Sequence, residues 1–230
     1  MAIALITAGG TGSRTGNIVP KQFLTVNDIP VIVYTMKNVQ DSGCYDSMYV
    51  ICADGWKDFV ASYAEQYHID IFKGTITGGD SRFASVSNGI SYLAEFYDSS
   101  NVVSLIDANR PMTTKAIFEE SIRLLENADI VLPLEPCFDS MYVVEKGSYL
   151  VNRSIDRNVL FKGQSPETFR LGKAVEIHKK AYIDSILDLT TSALMVYYGE
   201  RVSFTEGLST NFKITTAEDL DIFKALVKPL

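Results

Sequence analysis

The chain has 230 residues, of which 47% are hydrophobic, and its formal net charge is −7 at pH 7. This length and apolar content suffice for one sizeable buried core, so a single domain over residues 1–230 is expected. The negative charge argues against a nucleic-acid partner or an anionic membrane surface. The first apolar stretch, Ala2–Thr7, is too short for a signal or membrane segment, so a cytoplasmic protein is expected.

Hydrophobic periodicity predicts strands and helices that alternate along the chain. The predicted strands lie near residues 2–7, 47–53, 70–75, 102–107, 130–134 and 202–205. The predicted helices lie near residues 31–40, 55–66, 83–96, 114–127, 173–181 and 217–227. Strands such as 102–107 are apolar without alternation, which is typical of burial on both faces. The pattern predicts an α/β fold with a Rossmann-like, mostly parallel sheet and helices on both faces.

A glycine-rich loop follows the first predicted strand and contains Gly9, Gly10 and Gly12. Glycine can adopt positive φ and lets backbone N–H groups approach an anion closely. Arg14 and Lys21 add positive charge nearby, so the segment predicts a cradle for a triphosphate. The loop lacks the third glycine of a dinucleotide-binding fingerprint and the Gly-Lys-Ser/Thr of a P-loop. A glycine-rich surface turn with incidental basic residues is the alternative.

A second glycine pair, Gly78-Gly79, precedes the helix predicted over 83–96. Asp80 or Ser81 is a suitable N-cap for that helix, because a short polar side chain can accept a hydrogen bond from the first turn. Taken alone, this segment could equally be an ordinary turn before a helix.

The strand predicted over 102–107 ends on Asp107, and Arg110 follows. An aspartate at the carboxyl end of a central strand lies where open α/β sheets bind ligands. A simple ion pair between Asp107 and Arg110 at the strand end is the alternative.

The segment at about 138–160 predicts a β-hairpin, because two apolar runs flank the turn sequence Glu145-Lys146-Gly147-Ser148. Apolar side chains would be exposed on such a hairpin, notably Tyr142, Val144 and Leu150. We therefore expect a dimerisation arm that is covered in a homodimer. A hairpin folded back on its own domain is the alternative.

Motifs along nearly the whole chain resemble the signature of the 2-C-methyl-D-erythritol 4-phosphate cytidylyltransferase family, whose relatives include ribitol 5-phosphate cytidylyltransferases. The matching segments are 8–14, 20–22, 78–86, 107–111, 139–141, 156–158, 163–169 and 207–220. The chain departs from the pattern at Asn109, which replaces an alanine and adds a polar group near the acceptor, and at Glu167, which replaces a glutamine. It also has Thr190-Thr191 where the family usually has Thr-Asp.

The resemblance implies transfer of CMP from CTP to a small polyol phosphate, with Mg²⁺ as cofactor and no assigned metal ligand. The implied catalytic residues are Arg14 for the leaving group, Lys21 and Lys213 for the α-phosphate, and Asp107 for the acceptor and metal surroundings. The implied nucleotide-binding residues are Ala8, Gly9, Gly10, Thr11, Gly12, Gly79, Asp80, Arg82, Ser85 and Ala108. The implied acceptor-binding residues are Asp107, Arg110, Ser140, Arg157, Ser165 and Thr190, of which Ser140 and Arg157 would reach the neighbouring subunit.

Two acceptors are compatible with the cytidylyltransferase activity that the resemblance implies. One is ribitol 5-phosphate or a related alditol or glycerol phosphate, for teichoic-acid or capsule precursors. The other is 2-C-methyl-D-erythritol 4-phosphate, for isoprenoid biosynthesis. Asn109 and the segment 163–170 favour the first. A non-catalytic nucleotide-binding regulator is a further alternative, against which the basic and acidic site residues argue.

Overall fold

The computed structural model describes residues 1–10 and 19–227. The strands are β1 (Ala2–Thr7), β2 (Thr25–Val26), β3 (Ile29–Pro30), β4 (Ser47–Cys52), β5 (Phe72–Thr77), β6 (Val102–Asp107), β7 (Ile130–Pro136), β8 (Met141–Val144), β9 (Val151–Ile155), β10 (Phe161–Gly163), β11 (Glu167–Arg170) and β12 (Val202–Glu206). The helices are α1 (Val31–Ser42), α2 (Lys57–Gln66), α3 (Arg82–Phe96), α4 (Lys115–Leu124), α5 (Leu171–Ile183), α6 (Thr191–Tyr197) and α7 (Ala217–Leu226). Short 3₁₀ helices cover Lys21–Phe23, Asp54–Trp56 and Arg157–Val159.

The central eight-stranded sheet is mostly parallel, which confirms the prediction. Hydrogen-bonded neighbours follow the order β10-β7-β11-β6-β1-β4-β5, and β12 pairs with β7 as well. The pairs β1–β4, β1–β6, β4–β5 and β7–β12 are parallel, whereas β11 is antiparallel to both β6 and β7. Thr7 lies beside both Ile51 and Asp107, so β1, β4 and β6 end at one edge of the sheet.

Helices cover both faces of the sheet. Ile3 and Leu5 of β1 belong to a buried cluster that includes side chains of α3, α5 and α6. Ala4 and Ile6 belong to a second cluster with side chains of α1, α2 and α4. Because successive residues of a strand point to opposite faces, β1 is buried on both sides. This explains why its sequence is apolar without alternation.

Several short elements were not predicted. β11 has four residues and inserts antiparallel between β6 and β7, while α6 has seven residues. Elements of that length contain too few residues to show a period. The structure also shifts one predicted strand, since β5 covers Phe72–Thr77 and not 70–75.

The hairpin within 138–160 is confirmed as a pairing of β8 with β9, in which Met141 lies opposite Ile155. The second strand begins later than the apolar run at 149–151 predicted, so Tyr149 and Leu150 lie in the turn region. In the single chain Tyr142, Val144 and Leu150 are 57%, 48% and 75% exposed. The hairpin therefore keeps its apolar side chains away from the core of its own chain.

Over residues 1–10 and 19–227, none of the helices combines the length and the apolar character that a bilayer crossing requires.

Gly89 lets α3 pack closely on β1 and β4. A Cβ added there would lie 2.5 Å from Ile51 Cδ1 and 3.0 Å from Leu5 Cδ2. We predict that Gly89→Ala lowers the free energy of unfolding by about 1–2 kcal/mol, because overpacking outweighs the higher helix propensity of alanine. Urea unfolding measures this, and Ser91→Ala on the exposed side of the same helix is the control that leaves stability nearly unchanged. A Gly89→Ala protein as stable as the wild type would contradict the close packing.

Candidate active site

A cleft of about 720 Å³ opens at the carboxyl edge of β1, β4 and β6. Its walls come from the segments that follow successive strands, and one lysine from near the C-terminus completes them. The lining residues are 7–10, Gln22, 53–54, 77–82, Ser85, Val86, 107–109 and Lys213. This is the edge at which open α/β sheets bind ligands.

All the nucleotide-binding candidates that the structure describes line this one cleft. They are Ala8, Gly9, Gly10, Gly79, Asp80, Arg82, Ser85 and Ala108. Thr11, Gly12 and the catalytic candidate Arg14 lie outside the described residues. The structure thus brings together three motifs that are far apart in the sequence.

The beginning of the glycine-rich loop is held by Gln22, a residue for which no role was predicted. The Gln22 side chain is buried, and its Nε2 donates to the carbonyls of Ala8 at 2.6 Å and Gly10 at 3.1 Å. Phe23, the next residue, stacks on Trp56 with ring centroids 4.0 Å apart and planes 5° from parallel. The segment that carries Lys21 is therefore fixed to the loop on one side and to the Asp54–Trp56 turn on the other.

Gly9 and Gly10 do not adopt positive φ, and Gly12, the third glycine of the loop, lies outside the described residues. Glycine is required instead at Gly79, where the backbone lies so close to α3 that an added Cβ would be 2.6 Å from the Cβ of Ala84. Gly79 N–H donates to Ser85 Oγ at 2.9 Å, and Ser81 caps α3 by accepting from the Ala84 N–H at 3.0 Å. The predicted N-cap is confirmed as Ser81.

Asp107 is the centre of an ion-pair cluster at the end of β6. Its Oδ1 lies 3.1 Å from both Arg82 Nη1 and Lys213 Nζ, and its Oδ2 lies 3.2 Å from Arg110 Nε. The Asp107–Arg110 pair was foreseen as the simple alternative, but Arg82 and Lys213 join it. The sequence does not predict this cluster, because its members lie in three segments that are far apart along the chain.

The cluster holds Asp107 ionised although the residue is only 6% exposed. Burial by itself would raise the pKa of Asp107, but the charges of Lys213, Arg82 and Arg110 outweigh it and hold that pKa well below its usual range. A second carboxylate, Glu167, lies 3.8 Å from Arg82 Nη2, and burial raises its pKa. With both carboxylates ionised, these groups still keep one net positive charge, which favours an anionic ligand.

Asn109 positions the segment that carries Lys213. Its Nδ2 donates to the Ile214 carbonyl at 2.7 Å, and the Ile214 N–H donates to the Asn109 carbonyl at 2.9 Å. The side-chain amide predicted to lie near the acceptor is thus committed to the neighbouring loop. Lys21 Nζ donates to the carbonyl of Thr215, so both lysines are brought to the same loop.

Arg110 and Ser165, two of the acceptor candidates, share the Asp107 cluster. Ser165 Oγ accepts the Asp107 N–H at 3.1 Å. Asn211 lies in the motif segment 207–220 but was given no role; its buried side chain donates to the Ser165 carbonyl at 3.1 Å, and its backbone carbonyl accepts from Arg110 Nη1 at 2.5 Å. Its position two residues before Lys213 was the sequence signal that could have identified Asn211 as a site residue.

Thr190 reaches the cluster indirectly. It caps α6 by accepting the Ala193 N–H at 3.2 Å, and the following Ser192 N–H donates to Glu167 Oε2 at 2.8 Å. Ser140 and Arg157 lie at the base of the hairpin and do not line the cleft of their own chain. Their role in a neighbouring subunit stays a prediction.

Comparison with known proteins places this geometry in a family. The family model IspD, 2-C-methyl-D-erythritol 4-phosphate cytidylyltransferase, matches residues 2–229. The chain belongs to this family. The ribitol-5-phosphate cytidylyltransferase of Vibrio parahaemolyticus is 31% identical over 229 residues, which cover 99% of this chain and 96% of that protein. The 2-C-methyl-D-erythritol 4-phosphate cytidylyltransferase of Syntrophus aciditrophicus is 28% identical over 227 residues, which cover 98% and 95%.

Solved structures share the fold. The 4-diphosphocytidyl-2C-methyl-D-erythritol synthase from Anaerococcus prevotii has a TM-score of 0.81 at 23% identity, covering 97% of this chain and 96% of that chain. The 2-C-methyl-D-erythritol 4-phosphate cytidylyltransferase of Francisella tularensis also has a TM-score of 0.81, at 20% identity, covering 98% and 99%. The family and the α/β fold predicted from the sequence are confirmed.

A buried histidine connects three helices behind the cleft of this family member. His178 Nδ1 lies 2.8 Å from Ser87 Oγ of α3, and Nε2 lies 3.1 Å from Thr191 Oγ1 of α6. The ring stacks on Phe83, with centroids 5.1 Å apart. Burial lowers the pKa of His178 to about 4.

We predict that this histidine makes stability depend on pH. Because the pKa of His178 falls from 6.5 to about 4 on folding, its neutral form supports the fold fully above pH 6.5. That contribution is lost as the pH falls toward 4, by up to about 3 kcal/mol. Urea unfolding between pH 7.5 and 4.5 should show a smaller loss for His178→Asn than for the wild type. His68→Asn, at an exposed position, is the control, and equal slopes for all three proteins would contradict the prediction.

Proposed function

We propose that this protein transfers CMP from CTP to the phosphate of ribitol 5-phosphate or a related alditol or glycerol phosphate, giving a CDP-polyol and pyrophosphate. The observation that carries the proposal is the Asp107 cluster, in which Arg82, Arg110 and Lys213 converge beside a glycine-rich loop in a member of a cytidylyltransferase family. A site with surplus positive charge suits two anionic substrates that must approach each other.

The nucleotide would occupy the part of the cleft between the two glycine segments. Gly9, Gly10 and Gly79 leave the backbone accessible there, and Ser85 offers a hydroxyl beside them. Asp80 and Ala108 would complete this half of the site. Backbone groups and short side chains in a preformed cleft can define the base and ribose without a large rearrangement.

In the reaction, an oxygen of the acceptor phosphate attacks the α-phosphorus of CTP, and the bond from that phosphorus to the β-phosphate oxygen breaks to release pyrophosphate. A phosphate oxygen is already ionised at neutral pH, so no general base is needed. Lys21 and Lys213 would stabilise charge on the α-phosphate, and Arg14 would act on the leaving group. Catalysis would then consist of positioning and electrostatic stabilisation.

Mg²⁺ is the proposed cofactor. Over the described ranges, no group of three or more His, Cys, Asp or Glu side chains could hold a metal ion on protein ligands alone. Mg²⁺ is often bound largely through substrate phosphates, and such an ion needs no cluster of protein ligands. Asp107, whose carboxylate is paired with Arg82, Arg110 and Lys213, would lie in the surroundings of the ion, and the bound ion would neutralise charge on the triphosphate.

The acceptor would lie on the side of Asp107 that faces Arg110, Ser165 and Thr190. Ribitol 5-phosphate as the acceptor is supported by the ribitol-5-phosphate cytidylyltransferases of Vibrio parahaemolyticus and Lacticaseibacillus paracasei, the latter 28% identical over 232 residues. The family model and the Syntrophus aciditrophicus relative favour 2-C-methyl-D-erythritol 4-phosphate as the second candidate.

The test is pyrophosphate release from CTP with three separate acceptors: ribitol 5-phosphate, glycerol 3-phosphate and 2-C-methyl-D-erythritol 4-phosphate. We expect ribitol 5-phosphate to exceed 2-C-methyl-D-erythritol 4-phosphate by about tenfold or more in kcat/KM, because a site built for one set of hydroxyls discriminates against another. UTP, ATP and GTP in place of CTP are the controls. The reverse order of acceptors would favour the second candidate, and CTP binding without any turnover would favour a regulator.

The hairpin would complete the site in a homodimer. Its exposed apolar side chains would be buried between subunits, and Arg157 would reach the neighbour's acceptor site as a phosphate clamp, since a guanidinium can hold a phosphate through two hydrogen bonds. Arg157 is held at the hairpin base by its donation to the Phe138 carbonyl at 2.5 Å.

Mixing of inactive variants tests this arrangement. Arg157→Ala and Lys213→Ala should each be nearly inactive alone, but their mixed dimers contain one intact site. After subunit exchange, activity should return to about a quarter of the wild-type rate, because half of the dimers are mixed and each has one working site. Mixing Lys213→Ala with Arg110→Ala is the control without recovery, because both residues contact Asp107 of their own chain. No recovery in the first mixture would contradict a shared site.

A further inference from the structure

Glu167 is a buried carboxylate to which the proposed reaction gives no role. It is 6% exposed and lies on β11, opposite Leu105 of β6. Oε2 accepts the Ser192 N–H at 2.8 Å, and Oε1 lies 3.8 Å from Arg82 Nη2. Removing a carboxylate from water is costly unless it is paired and hydrogen-bonded. The Ser192 N–H and Arg82 offset that cost, so the role of Glu167 is to be sought in what these two contacts hold together.

The two contacts of Glu167 belong to different helices, α3 and α6. Arg82 lines the cleft and pairs with Asp107 at 3.1 Å. Ser192 belongs to the first turn of α6, whose N-cap is Thr190. Glu167 therefore joins the charged centre of the cleft to the turn at 190–192, and that turn carries an acceptor candidate.

The carboxylate beside the 190–192 turn is supplied from another element of the fold. Glu167 lies on β11, and its Oε2 accepts the backbone N–H of Ser192, the residue that follows Thr191.

Other contacts show that the turn is tightly fixed. Thr191 Oγ1 lies 3.1 Å from His178 Nε2, and the hydroxyls of Thr190 and Ser192 lie 3.1 Å apart. Three consecutive residues are therefore tied to β11, α5 and each other. A turn held in this way keeps a constant position relative to the Glu167–Arg82 pair, and an acceptor site that distinguishes one polyol from another needs its supporting groups fixed to well under an ångström.

We propose that Glu167 is a positioning residue that fixes the 190–192 turn relative to Asp107 and Arg82 and thereby sets which polyol phosphate the site accepts. This inference rests on the proposed function, because it assigns the turn to the acceptor side. Glu167 acts through the Ser192 N–H and Arg82, and not by contact with the reacting atoms.

Three substitutions separate the hydrogen bond to the Ser192 N–H from the negative charge of Glu167. Glu167→Ala removes both the hydrogen bond and the charge. Glu167→Asp keeps the charge, but its shorter side chain does not reach Ser192, and Glu167→Gln removes the charge but keeps an oxygen that can accept the Ser192 N–H. We expect the acceptor KM to rise about tenfold in the alanine and aspartate variants, with the CTP KM within about twofold of wild type, and the glutamine variant to recover most of the loss. The preference for ribitol 5-phosphate over glycerol 3-phosphate should fall in parallel.

Glu200→Gln is the matched control, because Glu200 is also partly buried and ion-paired, 3.2 Å from Lys173, but does not line the cleft. It should change neither KM nor preference. If the Glu167 variants lower kcat equally for all acceptors and leave the acceptor KM unchanged, the role is merely structural and the proposal is overturned. The aspartate variant keeps this test decisive if the alanine variant does not fold.

Amide hydrogen exchange over residues 189–195 gives a readout that needs no turnover. Exchange at the turn should be about tenfold faster in Glu167→Asp than in wild type, and close to wild type in Glu167→Gln and Glu200→Gln. Unchanged exchange in Glu167→Asp would overturn the positioning role. A wild-type protein that turns over none of the acceptors, with exchange as expected, would refute the proposed function and leave the contact itself established.

Discussion

The ionised state of Asp107 is the constraint on which this site depends. An aspartate with so little access to water is stable as an anion only if cations replace the lost solvation. Arg82, Arg110 and Lys213 do so; Arg82 begins α3, and the other two come from two different loops. Satisfying one carboxylate therefore draws the β5–α3, β6–α4 and β12–α7 connections to one edge of the sheet, and the cleft is the space left between them.

Buried amides then keep these loops in place. Gln22 holds the start of the glycine-rich loop, Asn109 holds the Lys213 loop, and the Asn211 side chain joins Thr113 to Ser165 in the connection between β10 and β11. Each amide can donate and accept at once, so it can bind two backbone segments that lack a common strand. The cationic side chains are thus mounted on rigid backbone, which electrostatic preorganisation requires.

Sequence reasoning succeeded where a signal is local and repeated. β1 and β6 have the predicted bounds, and the long helices were found within a few residues of their ends, because apolar periodicity persists over each element. It failed for β11 and α6, whose few residues are placed by their neighbours. Motif residues after successive parallel strands could be assigned to one edge, since topology brings those ends together. The contacts of Asn109 with Ile214 and of Glu167 with Ser192 join segments that are 105 and 25 residues apart, and no local sequence pattern predicts such contacts.

The stack of Phe23 on Trp56 has a practical consequence. Trp56 is the one tryptophan in the chain; it belongs to the turn whose Asp54 lines the cleft, and its ring stacks on Phe23, two residues after Lys21. Indole emission responds to the polarity and geometry of its surroundings, so any displacement of the Lys21 segment would alter the light that this single chromophore emits. The protein thus carries a native fluorescent probe in the turn that forms one wall of its cleft.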